Sequence, residues 1–294
     1  MTDIIKSICQ RHNIVLSSAK RFSVGQGNYV FKISSENQTY VLRLSENPYT
    51  ETIKLLKTIS KLGINVSDPI FNGKENNYFY IICNYIEGKD LGLVYKDLTD
   101  IEKRTIAKEV IAIQNNVASL PVPSEYNISE WIAHMLGRAK ERIRQNGWFD
   151  AEKTDRIVTL LPYFKDYFSS LTPVTYLDDI STKNLLINNG HVSGIIDIDW
   201  IEHGDPLTFI ALTNVALMDI ECDTDYVSYL LSERKTTEIE YKVFLLYSLI
   251  YCVDFMGERG CTFNGKVIKV NNEVVDKLNG IYDYLFNSLL QQLT

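Results

Sequence analysis

The sequence is poor in the residues that staple folds or build metal centres. Of 294 residues only five are cysteine, Cys9, Cys83, Cys222, Cys252 and Cys261, an odd number with no Cys-x-x-Cys pair. That excludes a disulfide framework and a zinc site and points to reduced thiols in a cytoplasmic protein. The four histidines have no metal-ligand spacing. Fifteen glycines and seven prolines are too few for a collagenous or low-complexity chain, and 45% hydrophobic residues are too many for a disordered one. Long apolar runs are absent. The longest, Phe244 to Val253 between Lys242 and Asp254, is about half the length of a membrane helix. The N-terminus, Met-Thr-Asp-Ile-Ile-Lys, carries an early acid and lacks a signal-peptide core. Basic charge is also short: 30 Lys and Arg against 37 Asp and Glu, a net -7 with a pI near 5.2. A broad nucleic-acid surface needs clustered cations, so neither nucleic acid nor membrane is an expected partner.

What is present is enough apolar sequence for a large core, and the length favours two domains. The first third reads as strands. Phe22 to Val24, Tyr29 to Ile33 and Thr39 to Leu44 form a meander around Gly25-Gln26-Gly27 and the polar turn 34–38. A helix follows, capped by Thr50 and ended by Gly63. Two more strands, Pro69 to Asn72 and Tyr78 to Cys83, complete a set of five. From Gly88 the pattern becomes helical. Thr99-Asp100-Ile101-Glu102 has capping-box spacing, and further helices are predicted over 129–145, over 151–169 with a break at Pro162, and over 207–218, 237–254 and 273–292. Residues 1–90 carry 11 basic and 8 acidic side chains, the remainder 19 and 29, so the two parts are +3 and -10. Solvated acidic helix faces account for that difference; so does a site for a cationic substrate.

The segment Tyr176 to Asp197 carries the chemistry. Asn189-Gly190 is a strong signal for a two-residue hairpin turn, because both positions must take positive φ. Folding there brings Asn184 beside Ile195 and within two residues of Asp197. An amide oxygen and a carboxylate at one sheet end suit a hard Mg²⁺ ion that also takes phosphate oxygens. Asp179, five residues before Asn184, lies in the loop entering the first strand of the hairpin. Asp205-Pro206 is the cap and first turn of the helix beginning at Leu207.

This order resembles the protein-kinase-like fold of the aminoglycoside phosphotransferase and choline kinase superfamily, whose catalytic region reads His-x-Asp-x-x-x-x-Asn and then Ile-Asp after a short hairpin. Here those elements are Leu177-Asp178-Asp179 through Asn184, then Gly194-Ile195-Ile196-Asp197, with the downstream Gly204-Asp205-Pro206. The specific motifs sit between Tyr176 and Pro206, and the element order extends over nearly the whole chain. The resemblance implies an α+β, bilobal kinase-like architecture: a five-stranded antiparallel N-terminal nucleotide-binding lobe with one helix (1–87), and a mainly helical C-terminal lobe carrying a catalytic β-hairpin (88–294).

Carried over by position, Asp179 is the catalytic carboxylate, and Asn184 and Asp197 hold Mg²⁺. Asp199 either assists at the metal or structures the loop. Gly25, Gly27 and Asn28 lie in the loop over the nucleotide phosphates. Arg43 is the phosphate-binding cation, with Glu51 on the single helix as its partner. Asn84, Tyr85 and Ile86 form the hinge that receives the purine. Leu177 stands where the family usually has a His that braces the catalytic loop, so the rigidity of that loop needs another source.

The implied reaction moves the γ-phosphoryl group of ATP, or GTP, to a hydroxyl of a small molecule. An aminoglycoside-type antibiotic is the first choice, its amines meeting acids such as Asp219, Glu221, Asp223 and Asp225. Choline, a sugar, an amino alcohol or a macrolide are the alternatives, with Trp131, Trp148 and Trp200 available for an aromatic cage. A monomer or weak dimer is expected. A reading from a different class is a non-catalytic nucleotide-binding protein of the same fold. Protein-kinase activity is disfavoured because neither Asp-Phe-Gly nor Ala-Pro-Glu follows the hairpin.

Overall fold

The computed structural model describes residues 1–22, 29–122, 126–263 and 266–294. The chain divides into two compact units, Met1–Lys89 with Ser193–Trp200, and Asp90–Val192 with Ile201–Thr294. Ser193–Trp200, which sequence order places with the helical part, belongs to the first unit.

The first unit contains α1 (Thr2–Arg11), β1 (Ser18–Arg21), β2 (Tyr29–Ser34), β3 (Thr39–Ser45), α2 (Thr50–Ser60), β4 (Pro69–Glu75) and β5 (Tyr78–Asn84). The strands form one sheet in the order β1-β2-β3-β5-β4, every pair antiparallel. Strand side chains alternate between faces. Ile33, Leu42, Leu44, Tyr80 and Ile82 therefore bury one face against Ile5, Ile8 and Cys9 of α1. On the other face Ile81 and Cys83 meet Tyr49, Val41 and Ile53. Arg43 is odd-numbered like Val41 and pairs across to Ile81, so it shares this second face.

Three expectations change here. The sequence predicts one helix in this part, but α1 is a second. It is ten residues long with no side-chain cap, and its stability comes from the core its apolar face covers. The strand expected at Phe22 to Val24 begins earlier, as β1. All four β1 residues are exposed, so no apolar alternation marks it; Val24 lies outside the described residues. Thr50 is the first residue of α2 rather than its cap. The position before the helix is Tyr49, fixed by burial.

The second unit contains β6 (Lys89–Asp90) at its entry, α3 (Leu91–Val94), α4 (Asp100–Val117), α5 (Ile128–Asn146), α6 (Glu152–Val158), α7 (Lys165–Ser170), β7 (Val174–Tyr176) and β8 (Leu185–Asn188). It continues with β9 (His191–Ile195), which begins in this unit and ends in the first, then β10 (Glu202–Gly204), α8 (Leu207–Asp219), α9 (Asp225–Glu233), α10 (Glu238–Glu258), β11 (Thr262–Phe263), β12 (Lys266–Val267) and α11 (Asn272–Leu293). The α10 helix runs through the core and is buried on every side from Val243 to Val253, which is why its sequence shows no amphipathic stripe. The capping box predicted at Thr99 is formed, and a second one, at Thr237, opens α10. The chain turns from β8 into β9 through Asn189 (φ 51°) and Gly190 (φ 76°), the positive pair the hairpin requires. Among the described residues no helix is long and apolar enough to cross a membrane, and all five cysteines are free.

Candidate active site

In the first unit Arg43 is buried on the α2 face of the sheet. One of its guanidinium nitrogens, Nη2, lies 3.0 and 3.3 Å from the two carboxylate oxygens of Asp199 and 3.4 Å from Oδ1 of Asp197. Its charged plane lies over the Tyr49 ring, 5.6 Å from the centroid. Burial works against the charge, but Asp199 and Asp197 outweigh it and raise the Arg43 pKa. The same burial pushes the Tyr49 hydroxyl and the Cys83 thiol each up to about 12. Glu51, expected opposite Arg43, is 85% exposed, with Lys54 at 3.9 Å. It sits in the first turn of α2, where a carboxylate complements the helix dipole without a partner. Arg43 is met by the acids after β9 instead.

Asp197 adopts φ 59°, a left-handed backbone that Asp tolerates better than most residues. An outlier of this kind at a candidate ligand position is where functional sites store strain. The approach to it is set by Gly194. A Cβ there would lie 2.8 Å from the Asn65 carbonyl oxygen and 2.9 Å from the Ile86 side chain, so only glycine lets β9 pass this close. Of the three residues expected to receive the purine, Asn84 already donates its backbone N–H to the Asp68 carbonyl at 3.1 Å. The Tyr85 ring carries Lys32 Nζ at 4.0 Å, and Ile86 is buried. Gly25, Gly27 and Asn28 lie outside the described residues.

In the second unit Asp179 is exposed, yet both carboxylate oxygens are oriented. Oδ1 accepts from the Ser181 hydroxyl at 3.0 Å and Oδ2 from the Asn184 amide at 2.7 Å. The same amide nitrogen donates to the Asp179 carbonyl at 3.0 Å. With its nitrogen committed to Asp179, Asn184 has its oxygen as the atom to present to a cation. An amide oxygen is a hard oxygen donor, the chemistry that suits Mg²⁺.

Residues 18–213 match the model of the phosphotransferase enzyme family (APH). The chain belongs to that family. Among solved structures, ADP-bound aminoglycoside phosphotransferase APH(2'')-Ib is 14% identical and superposes with a TM-score of 0.65, covering 95% of this chain and 96% of its own. A thermostable mutant of aminoglycoside phosphotransferase APH(4)-Ia, in ternary complex with ADP and hygromycin B, is 14% identical with a TM-score of 0.67, covering 96% and 97%. The streptomycin–ATP complex of APH(2")-IIa is 15% identical with a TM-score of 0.61, covering 87% and 90%. At these identities the likeness shows the aminoglycoside phosphotransferase, kinase-like fold. No curated protein matches the chain significantly by sequence.

Two of the acids expected to meet a cationic acceptor, Asp219 and Asp223, are paired within the protein. Asp219 is held by Arg259 at 2.6 Å and by Lys277, and Asp223 by Lys103 and the Tyr95 hydroxyl. Both already have counter-charge from the protein itself, Asp219 under cover and Asp223 at the surface, which leaves them poorly suited to an acceptor's amines. Asp178 is the acid the sequence does not single out. Burial, then the neighbouring charge of Glu202, raise its carboxyl to about 7, and it accepts from the Tyr251 hydroxyl at 3.2 Å. Burial raises Glu202 as well. The position before α8 is Pro206, which makes no side-chain cap, so Asp205 is not the cap the sequence predicts; it lies one residue earlier and accepts from the Leu207 N–H and from the hydroxyls of Tyr167 and Tyr247. Trp131 packs edge-on against Tyr247 and Tyr251, whereas Trp148 and Trp200 are exposed. A cavity of about 810 Å³, lined by Ile128, Ile132, Val158, Leu161, Phe168 and Lys165 among others, contains none of the sequence-predicted residues.

Leu177 is held by Gln114 of α4. The Gln114 side chain donates to the Leu177 carbonyl at 2.7 Å and accepts from the Leu177 N–H at 2.9 Å. A signal for Gln114 exists in the sequence: it is polar at a stripe position, four residues after Val110 and three after Ile111, both buried. Tyr251 and Ser181 carry no such signal.

Proposed function

We propose that the chain transfers the γ-phosphoryl group of ATP to a hydroxyl of a small molecule, with Asp179 as the catalytic carboxylate. The observation that carries this reading is an exposed carboxylate whose two oxygens are fixed by Ser181 and Asn184, in a member of a phosphotransferase family. Asp179 orients the acceptor hydroxyl and receives its proton as the new P–O bond forms. Arg43 supplies permanent positive charge for the phosphates, in a reaction that needs alignment and charge neutralisation more than covalent chemistry. Asn184 and Asp197 would hold Mg²⁺, which when bound offsets phosphate charge. Tyr85 and Ile86 serve the purine, and Gly25, Gly27 and Asn28 the phosphates. Occupancy by ADP or ATP in the structural neighbours supports ATP as the donor.

For the acceptor we favour an aminoglycoside-type polyamine. Asp178 and Glu202 crowd one another beside Asp179, and a cation there would relieve their repulsion; hygromycin B and streptomycin in the neighbours' complexes point the same way. The test is ADP release over a panel of aminoglycosides, macrolides, choline, homoserine and hexosamines. Release that rises with an aminoglycoside supports the full reading, and release that rises only with another member replaces the acceptor. Mg·ATP binding with no acceptor-dependent release would return the chain to a non-catalytic binder.

A further inference from the structure

We propose that Gln114 is a positioning residue for Asp179, taking over the bracing of the catalytic loop that Leu177 cannot provide. The inference rests on the assignment of Asp179 above.

The β7 and β10 strands pair with Tyr176 opposite Glu202, so Leu177 is the first residue past the end of that ladder. Leu177 is buried, and a buried backbone N–H and C=O need partners. Both are supplied by the single Gln114 amide, at 2.9 and 2.7 Å. Gln114 is itself buried, 5% exposed, and acts as one residue of a strand presented from a helix. It extends the β7 ladder by one step and fixes the chain two residues before Asp179.

The same helix grips the chain again beyond the loop, where Glu109 accepts from the Val192 N–H and bonds His191 Nδ1, each at 2.7 Å. Within the loop, Tyr251 holds Asp178, while Ser181 and Asn184 orient Asp179. The Leu177 side chain has no polar atom to contribute, so the grip on its backbone is the anchor at the loop's entry. Catalysis through a carboxylate depends on placement to a fraction of an ångström, and a slack entry converts directly into lost rate.

The test uses the full chain with two variants. Gln114→Met keeps the length and removes both hydrogen bonds. Gln114→Asn keeps the amide but falls one methylene short. Turnover is read as ADP release with the acceptor from the panel and with water alone, normalised to the fraction of molecules that bind Mg·ATP. Both variants should lose roughly ten- to hundredfold in kcat, with the KM for ATP within about twofold of wild type. Hydrogen exchange at the Leu177 amide should be as slow as in the β7 ladder in the wild type and faster in both variants, while the interior of α10 keeps its protection. Unchanged kcat per nucleotide-binding molecule would overturn the proposal, as would fast exchange of Leu177 in the wild type, a reading that needs no variant. Asp179→Asn is run alongside. If it retains full turnover, the assignment of Asp179 has failed, whereas an inactive Asp179→Asn beside fully active Gln114 variants isolates the failure to Gln114.

Discussion

At the scale of single residues, the charges after β9 decide how Arg43 is held. A guanidinium buried in a sheet face needs counter-charge, and Asp199 provides the shorter contacts. Asp199→Asn should lower stability by about 1 to 2 kcal/mol, the worth of a charged hydrogen bond discounted for partial exposure. Urea denaturation measures this, and an unchanged midpoint would contradict the pairing. Asp178 gives a pH signature. Its folded-state carboxyl titrates near 7, above the ordinary value of 3.8, so the folded protein binds that proton more tightly than the unfolded chain. The stabilisation is complete below about pH 4 and is lost as pH rises through about 7. Asp178→Asn, neutral at all pH, should therefore gain in Tm relative to wild type between about pH 5 and about pH 8; parallel curves would rule this out. Arg43, Asp179, Asn184 and Asp197 were legible as candidates because each occupies a motif position. The Arg43 partner was not, since both Glu51 and Asp199 were available acids and only the fold shows which one lies on the sheet face.

At the scale of elements, β9 and α4 each hold a candidate segment. Gly194→Ala would drive a methyl against the Asn65 carbonyl and Ile86. A loss of about 1 to 3 kcal/mol is expected from such overpacking, visible as a lowered Tm; a neutral substitution would contradict the close approach. Thr99→Ala removes the side-chain half of the α4 capping box and should cost about 1 kcal/mol, read from the same denaturation curves. Elements with strong local signals were legible: β2 to β5 from β-prone runs between polar turns, α4 from its capping box, the turn from β8 to β9 from Asn189-Gly190. Those stabilised by packing alone were not. The β1 strand has no buried side chain, and α9, for which no helix is predicted, begins at Asp225 within the acidic stretch and is held by burial of Tyr226, Val227, Leu230 and Leu231.

At the scale of the whole molecule, the net charge of -7 proves a poor guide to the acceptor. Part of the acidic excess in the second unit is consumed internally: Asp219 and Asp223 face buried or half-buried lysines and an arginine. Composition weighs on the class of partner, but only the pairing of individual acids separates structural charge from charge left for a ligand. The family was legible from the spacing of three residues on either side of one turn. The bracing of the loop left only half a mark: Gln114 is a polar residue in a buried helix stripe, but the Leu177 groups it holds are backbone and carry no sequence signal. All of this converges on one side chain. The direct test is acceptor-dependent ADP release by wild type and by Asp179→Asn at matched Mg·ATP occupancy. A general base at Asp179 predicts a fall of roughly a hundred- to ten-thousandfold in kcat with nucleotide binding retained, and an Asp179→Asn variant turning over at the wild-type rate would contradict it.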